Sequence, residues 1–174
     1  MPCDALSKQF PLDASAARFN PISYHNGSVW PHDNALIAIG LARYGFKSEC
    51  AKLLDSLFEA SHYFELNRMP ELFCGFARRD FEGPTSYPVA CAPQAWAAGA
   101  AFLILQACLG LVIDAPRRHI LVDRPRLPSC IEHLALRDLQ VGDATVDMIC
   151  HSHADYVSVH LERRTGDVEL AVIS

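Results

Sequence analysis

The sequence predicts a mainly α-helical body followed by a small antiparallel β appendage, and three observations carry that expectation. Two apolar segments at helical spacing lie between residues 33 and 66, separated by Gly45-Phe46-Lys47. A third apolar run, 93–109, is opened by Pro93 and stopped by Gly110. Beyond Pro116 the apolar period switches to two, with turns at Gly142-Asp143 and Thr165-Gly166-Asp167. Helices first and strands afterwards divide the chain into a helical part, 1–113, and a β part, 114–174.

Residues 1–23 hold Pro2, Pro11 and Pro21 without a sustained period and read as an irregular lead-in. From Asp33 or Asn34 to about Tyr44 the residues are almost all apolar, which predicts a helix buried on most sides. Asp33 is placed to act as its N-cap and Gly45 as its stop. Between Ser48 and Leu66, residues Cys50, Leu53, Leu54, Leu57, Phe58 and Ser61 form one helical face, leaving Lys52, Asp55 and Glu59 outward. The two helices make an αα-hairpin. Residues 67–92, with Pro70, Gly75, Gly83, Pro84 and Pro88, form a long loop, and loops of that length are usually functional. Pro suits the start of the 93–109 helix because its missing N–H would be unpaired there anyway. Trp96, beside Ala97, Ala98 and Gly99, reads as core. Strands are expected at 119–122, 134–141, 144–151, 156–163 and 168–173.

Composition narrows the function classes. The 174 residues are 51% hydrophobic and 20% charged with a formal charge of -5, so the balance gives no electrostatic reason to expect nucleic acid or an anionic membrane as partner. Seven scattered cysteines without a CxxC pair read as reduced, which favours a cytoplasmic location. The amino-terminal residues lack the pattern of a signal peptide. The apolar run near 96–112 is interrupted by Gln106 and reads as a buried helix rather than a membrane span. Neither a cofactor nor a metal is called for.

The densest functional signal is Tyr24-His25-Asn26-Gly27-Ser28-Val29-Trp30-Pro31-His32-Asp33-Asn34, which runs directly into the first apolar helix. Trp and Tyr offer flat apolar faces to the C–H side of a pyranose, while Asn, His and Asp direct donors and acceptors at its hydroxyls. Tyr24, His25, Asn26, Trp30, His32 and Asp33 are therefore the candidate substrate-binding residues. Trp30 is the expected stacking platform; a core Trp with its N–H on a carbonyl is the plain alternative. Tyr87 is a further candidate for lining the cleft. Glu71 follows Pro70 in the long loop, flanked by Met69, Leu72 and Phe73, a setting that fixes a carboxylate and shifts its pKa. Its plain alternative is a solvated loop carboxylate. Arg68, Arg78 and Arg79 flank it and are candidates to orient it.

The stretch 23–34, together with Pro70-Glu71-Leu72-Phe73-Cys74-Gly75 and Ala92-Pro93-Gln94-Ala95-Trp96-Ala97-Ala98-Gly99, resembles the C-terminal third of bacterial amylo-alpha-1,6-glucosidases, which are glycogen-debranching-type enzymes. The tail, from Pro125-Arg126-Leu127-Pro128 through Leu136-Arg137-Asp138-Leu139 to Gly142, is also similar to the small β region that closes such chains. The resemblance implies part of an (α/α)6 six-hairpin toroid, an oligosaccharide or glucan substrate with α-glucosidic bonds, and an inverting mechanism with Glu71 as general base. Inversion takes a second carboxylic acid across a gap of about 6.5–9.5 Å. In relatives that acid lies upstream; Asp4, Asp13 and Asp33 are weak substitutes. The isolated chain is therefore expected to be inactive or nearly so, and a chain completing the barrel is an expected partner. Helices without their neighbours would leave apolar faces exposed.

Two other readings stay open. One is a module that binds carbohydrate, or a complementary chain, without catalysis. The other is a metal-dependent hydrolase through His151, His153 and Asp155, an HxHxD pattern after an apolar strand. Tyr156 stands where that motif has its next histidine, and a turn with two surface histidines is the plain alternative.

Overall fold

The computed structural model describes residues 15–174. Three α-helices come first: α1 (Pro31–Arg43), α2 (Lys47–Ser61) and α3 (Ala95–Leu109). Six strands follow: β1 (Leu111–Asp114), β2 (His119–Asp123), β3 (His133–Val141), β4 (Ala144–Ser152), β5 (Val157–Thr165) and β6 (Glu169–Ile173). Cys3, Asp4, Asp13 and most of the lead-in lie outside the described residues.

The expectation of a mainly α chain forming part of a six-hairpin toroid is corrected by this architecture. Three α-helices and two three-stranded sheets make a small α+β protein, in which the strands hold nearly as many residues as the helices. Two helices in a hairpin with a third packed on both cannot curve into a ring. The β part is not purely antiparallel either: the first sheet runs β1-β2-β6, and β2 pairs parallel with β6. The second, β3-β4-β5, is antiparallel throughout.

Each helix forms for a local reason. Pro31 occupies the first turn of α1, and Trp30, not Asp33, holds the cap position, so Asp33 sits inside the first turn. Asp33 still favours the helix there as an acidic group near its positive end. The helix is not buried on most sides: Ala35 and Ala38 are enclosed while Leu36 and Ile37 face solvent. In α2, Cys50, Leu53, Leu54, Leu57 and Ser61 are buried as the spacing predicts, but Phe58 is exposed because no described element covers its side of the helix. Gln94 caps α3 with its own side-chain oxygen on the Ala95 N–H at 3.2 Å, and Gly110 ends the helix in the left-handed conformation. Ala38, Leu53, Leu57, Ala97, Ala100 and Ile104 form the helical core.

In the β part, the inner faces of both sheets share a core of Ile120, Val122, Val146, Met148 and Val168. Leu109, Cys150 and Val157 join it to the end of α3. Asp147 is the one buried charge among these strands. Its carboxylate accepts the Asp138 N–H at 2.7 Å and the Arg163 guanidinium at 2.7 Å and 3.1 Å. This network spans the bulges in β3 and β5, where backbone register shifts. The Arg163 hydrogen bond, then the Asp138 N–H, holds the Asp147 pKa down at about 2. An unfolded Asp titrates near 3.9, so the carboxylate's contribution is present above about pH 4 and is lost as pH falls through about 2. Acid unfolding followed by circular dichroism should therefore show an Asp147-dependent loss in that window, and Asp147→Asn should remove that part of the pH dependence.

Candidate functional site

The site is built from two segments that meet edge to edge. Residues 19–30 fold back in tight turns, with the Asn20 N–H on the Asn26 carbonyl at 3.0 Å and the Ser28 N–H on the Ser23 carbonyl at 3.2 Å. Gly27 is required here by close approach, since a Cβ would lie 2.2 Å from the Asn20 carbonyl oxygen. Val29 then pairs antiparallel with Phe73 through two hydrogen bonds of 2.8 Å and 3.1 Å, and Phe73 pairs onward with Ser86. The long loop is thus stitched to the 19–30 segment and to itself by two antiparallel bridges that set Val29, Phe73 and Ser86 side by side. Glu71, two residues before Phe73, is carried to the same side as Tyr24.

Tyr24 donates its hydroxyl to Glu71 Oε1 at 2.6 Å. The Cys91 backbone N–H donates to Glu71 Oε2 at 3.2 Å, and the Glu71 N–H donates to the Cys91 carbonyl at 2.8 Å. The carboxyl group is consequently fixed at both oxygens, and the residue is only 7% exposed. Tyr24 is the main cause of a Glu71 pKa below the usual carboxylate range; the Cys91 N–H, the Cys91 thiol and the nearby His32 add to it. The same hydrogen bond, with burial and the carboxylate's charge behind it, pushes the Tyr24 phenol up to about 12. Glu71 is therefore ionised at neutral pH, and Tyr24 keeps its proton.

Aromatic rings continue outward from this pair. Tyr24 meets Trp30 edge to face at 4.7 Å and 88°, and the indole N–H donates to the Tyr24 carbonyl at 2.9 Å. Tyr87 flanks Tyr24 at 5.7 Å. The His25 ring lies parallel to the indole at 6.1 Å and 3°. His32 stands edge-on to Trp30 at 5.5 Å and reaches Trp96 at 5.2 Å. Trp96 is 50% exposed, which corrects its assignment to the core: it extends the aromatic row over the start of α3. His32 Nε2 lies 3.1 Å from Asp33 Oδ1, whereas its buried Nδ1 has no hydrogen-bond partner among the described residues.

The structure thus assembles Glu71, Tyr24, His25, Trp30, His32 and Asp33 around one surface. Asn26 is drawn into the turn instead, its N–H on Ser23 Oγ at 3.3 Å, with its side chain exposed. Arg78 pairs with Glu59 at 2.6 Å and Arg79 with Glu82 at 2.8 Å, and neither of these ion pairs involves Glu71. The sequence reading missed Cys91, whose role rests on a backbone N–H that no residue type announces.

The HxHxD reading does not assemble. His153 stacks on Tyr156 at 4.5 Å and meets Ser158 Oγ at 3.0 Å, while His151 lies on the strand face beside other histidines. Among the described residues, no three His, Cys, Asp or Glu side chains are set to hold a metal ion, and no helix is long and apolar enough to cross a membrane.

Scanned against protein-family models, the chain matches none. A search of curated proteins finds no match either.

Proposed function

We propose that this chain carries the base side of a glycoside hydrolase site acting on α-glucosidic bonds, of the glycogen-debranching type. The observation that carries the reading is the 2.6 Å hydrogen bond from Tyr24 to Glu71, which sets an ionised carboxylate against a row of aromatic rings. In this reading a sugar ring lies on Trp30, with His25, His32 and Asp33 directed at its hydroxyls. Glu71 takes a proton from a water molecule as that water attacks the anomeric carbon, and the configuration inverts. Each carboxylate oxygen has two lone pairs, so both retain an accepting position beside the bonds from Tyr24 and Cys91.

Protonation of the leaving oxygen is a separate large contribution to rate. The reading assigns it to a carboxylic acid on a complementary polypeptide. The exposed Leu36 and Ile37 of α1 and Phe102 of α3 support such a partner, because together they are apolar surface of the kind that association covers. The location proposed is the cytoplasm, supported by six free thiols among the described residues, four of them buried. Neither nucleic acid nor a cofactor enters the mechanism.

Binding is the first test. Isothermal titration with a branched glucan oligosaccharide should show Trp30→Ala weakening affinity by about tenfold, the loss expected of one aromatic platform. Unchanged affinity would remove Trp30 from the site. The low exposure of Glu71 favours a second reading, a carbohydrate-binding surface without catalysis. It predicts the same Trp30 result with no hydrolysis in any mixture.

A further inference from the structure

The solvent face of the β3-β4-β5 sheet carries a group of side chains that the glycosidase reading does not use. His133 of β3 lies directly opposite His151 of β4. On the other side, β4 and β5 pair His151 with Ser158 and Ile149 with His160. Residues directly opposite across a ladder point to the same face, as do residues two apart along a strand. His133, His151 and His160 therefore stand on one face, on three adjacent strands. Their alternation with burial agrees: Leu134, Cys150 and Val159 point into the core, and the three histidines are exposed. The ring centroids are 6.3 Å apart for His133 and His151 and 5.9 Å for His151 and His160.

We propose that this three-histidine face binds a divalent d-block cation, Zn2+ being the reference case. A metal–nitrogen bond is about 2.0–2.1 Å, so two imidazoles sharing a tetrahedral ion have centroids roughly 5–6 Å apart. The observed separations are within about an ångström of that range. As placed, these side chains do not form a group of three that could hold a metal ion; binding takes rotation of the exposed imidazoles about χ1, between staggered wells, and about χ2, whose well is broad. Three neutral imidazoles with water in the fourth position make a recognised ligand set for this class of ion. His153 is committed elsewhere, to Tyr156 and Ser158, and is not a ligand. The site lies on the β part and stands independently of the glycosidase reading.

The test is titration of the full chain with Zn2+ alone, followed by calorimetry, with Co2+ as a spectroscopic substitute. One equivalent should bind, and His151→Ala should weaken binding by more than about tenfold, since loss even of an outer-shell partner of a metal site costs roughly 10–100-fold. His133→Ala and His160→Ala should each weaken it as well, whereas His62→Ala, an exposed histidine after α2, should not. In the unaltered protein, paramagnetic Ni2+ should broaden the imidazole resonances of residues 133, 151 and 160 and spare that of His62, a readout that does not depend on any variant folding. Absence of Zn2+ binding, binding retained in His151→Ala, or broadening confined to other histidines would each overturn the proposal.

Discussion

Glu71→Gln is expected to lower hydrolysis by about 10²–10⁴-fold, the usual contribution of a positioned base, in a mixture of this chain with the complementary polypeptide that supplies the acid. Glutamine keeps the shape of the side chain and still offers one oxygen to the Tyr24 hydroxyl. Its amide cannot take a proton from water, and its N–H2 cannot satisfy the Cys91 N–H that now donates to Oε2. Oligosaccharide affinity should persist, because the stacking surface on Trp30 is untouched. The pH profile supplies an independent check. Tyr24 is the main influence holding the Glu71 pKa down, so Tyr24→Phe should raise that pKa and move the acidic limb of the rate profile to higher pH. Equal hydrolysis by Glu71→Gln and the unaltered chain, or none from either in the mixture, would defeat the catalytic assignment.

Gly110→Ala is expected to be among the most destabilising single methyl additions in the chain. Gly110 lies at φ +59° where α3 ends and the chain turns into β1. A Cβ there would sit 2.3 Å from the Asp123 carbonyl oxygen and 2.4 Å from Lys47 Nζ. Lys47 cannot withdraw freely: it is buried, and its ammonium donates to the Ala107 carbonyl at 2.9 Å, at the negative end of α3. Burial lowers its pKa, the opposing pull of Asp123 notwithstanding. Asp123 is equally fixed, its N–H bonded to the Gly110 carbonyl at 3.3 Å. A left-handed conformation costs a residue with a side chain about 1–2 kcal/mol, and overpacking adds about 1–3 kcal/mol. For a domain of this size each kcal/mol moves the melting temperature by about 2–4 °C, so thermal denaturation should shift downward by roughly 5–15 °C. A shift of under about 2 °C would mean that the junction between helix and sheet yields at little cost.

Local signals located most of the elements. Gly110 marked the end of α3 correctly because an L-residue resists that backbone conformation whatever surrounds it. The apolar face of α2 was legible except at Phe58, since helical spacing says which residues share a side but not whether a neighbour covers it. The same limit explains Trp96 and Leu36, whose chemistry suits a core that no described element provides. β1 escaped notice because Leu111–Asp114 is only four residues long and follows directly on the Gly110 helix stop, too short a run to show a period of two. The parallel pairing of β2 with β6 joins residues 50 positions apart, and nothing local encodes it.

The site divides in the same way. By itself the sequence determined which side chains carry usable chemistry: a dense polar-aromatic stretch at 24–34 and a carboxylate at 71 held between apolar neighbours. Only the tertiary structure decided that Tyr24, 47 residues away, is the group that grips that carboxylate, that a backbone N–H of Cys91 takes its other oxygen, and that three histidines scattered along the β part stand in one row. Residue type sets what a group can donate, accept or bury; the partner it finds depends on strand register and loop closure, which are fixed by contacts between distant segments and leave no periodic trace in either one.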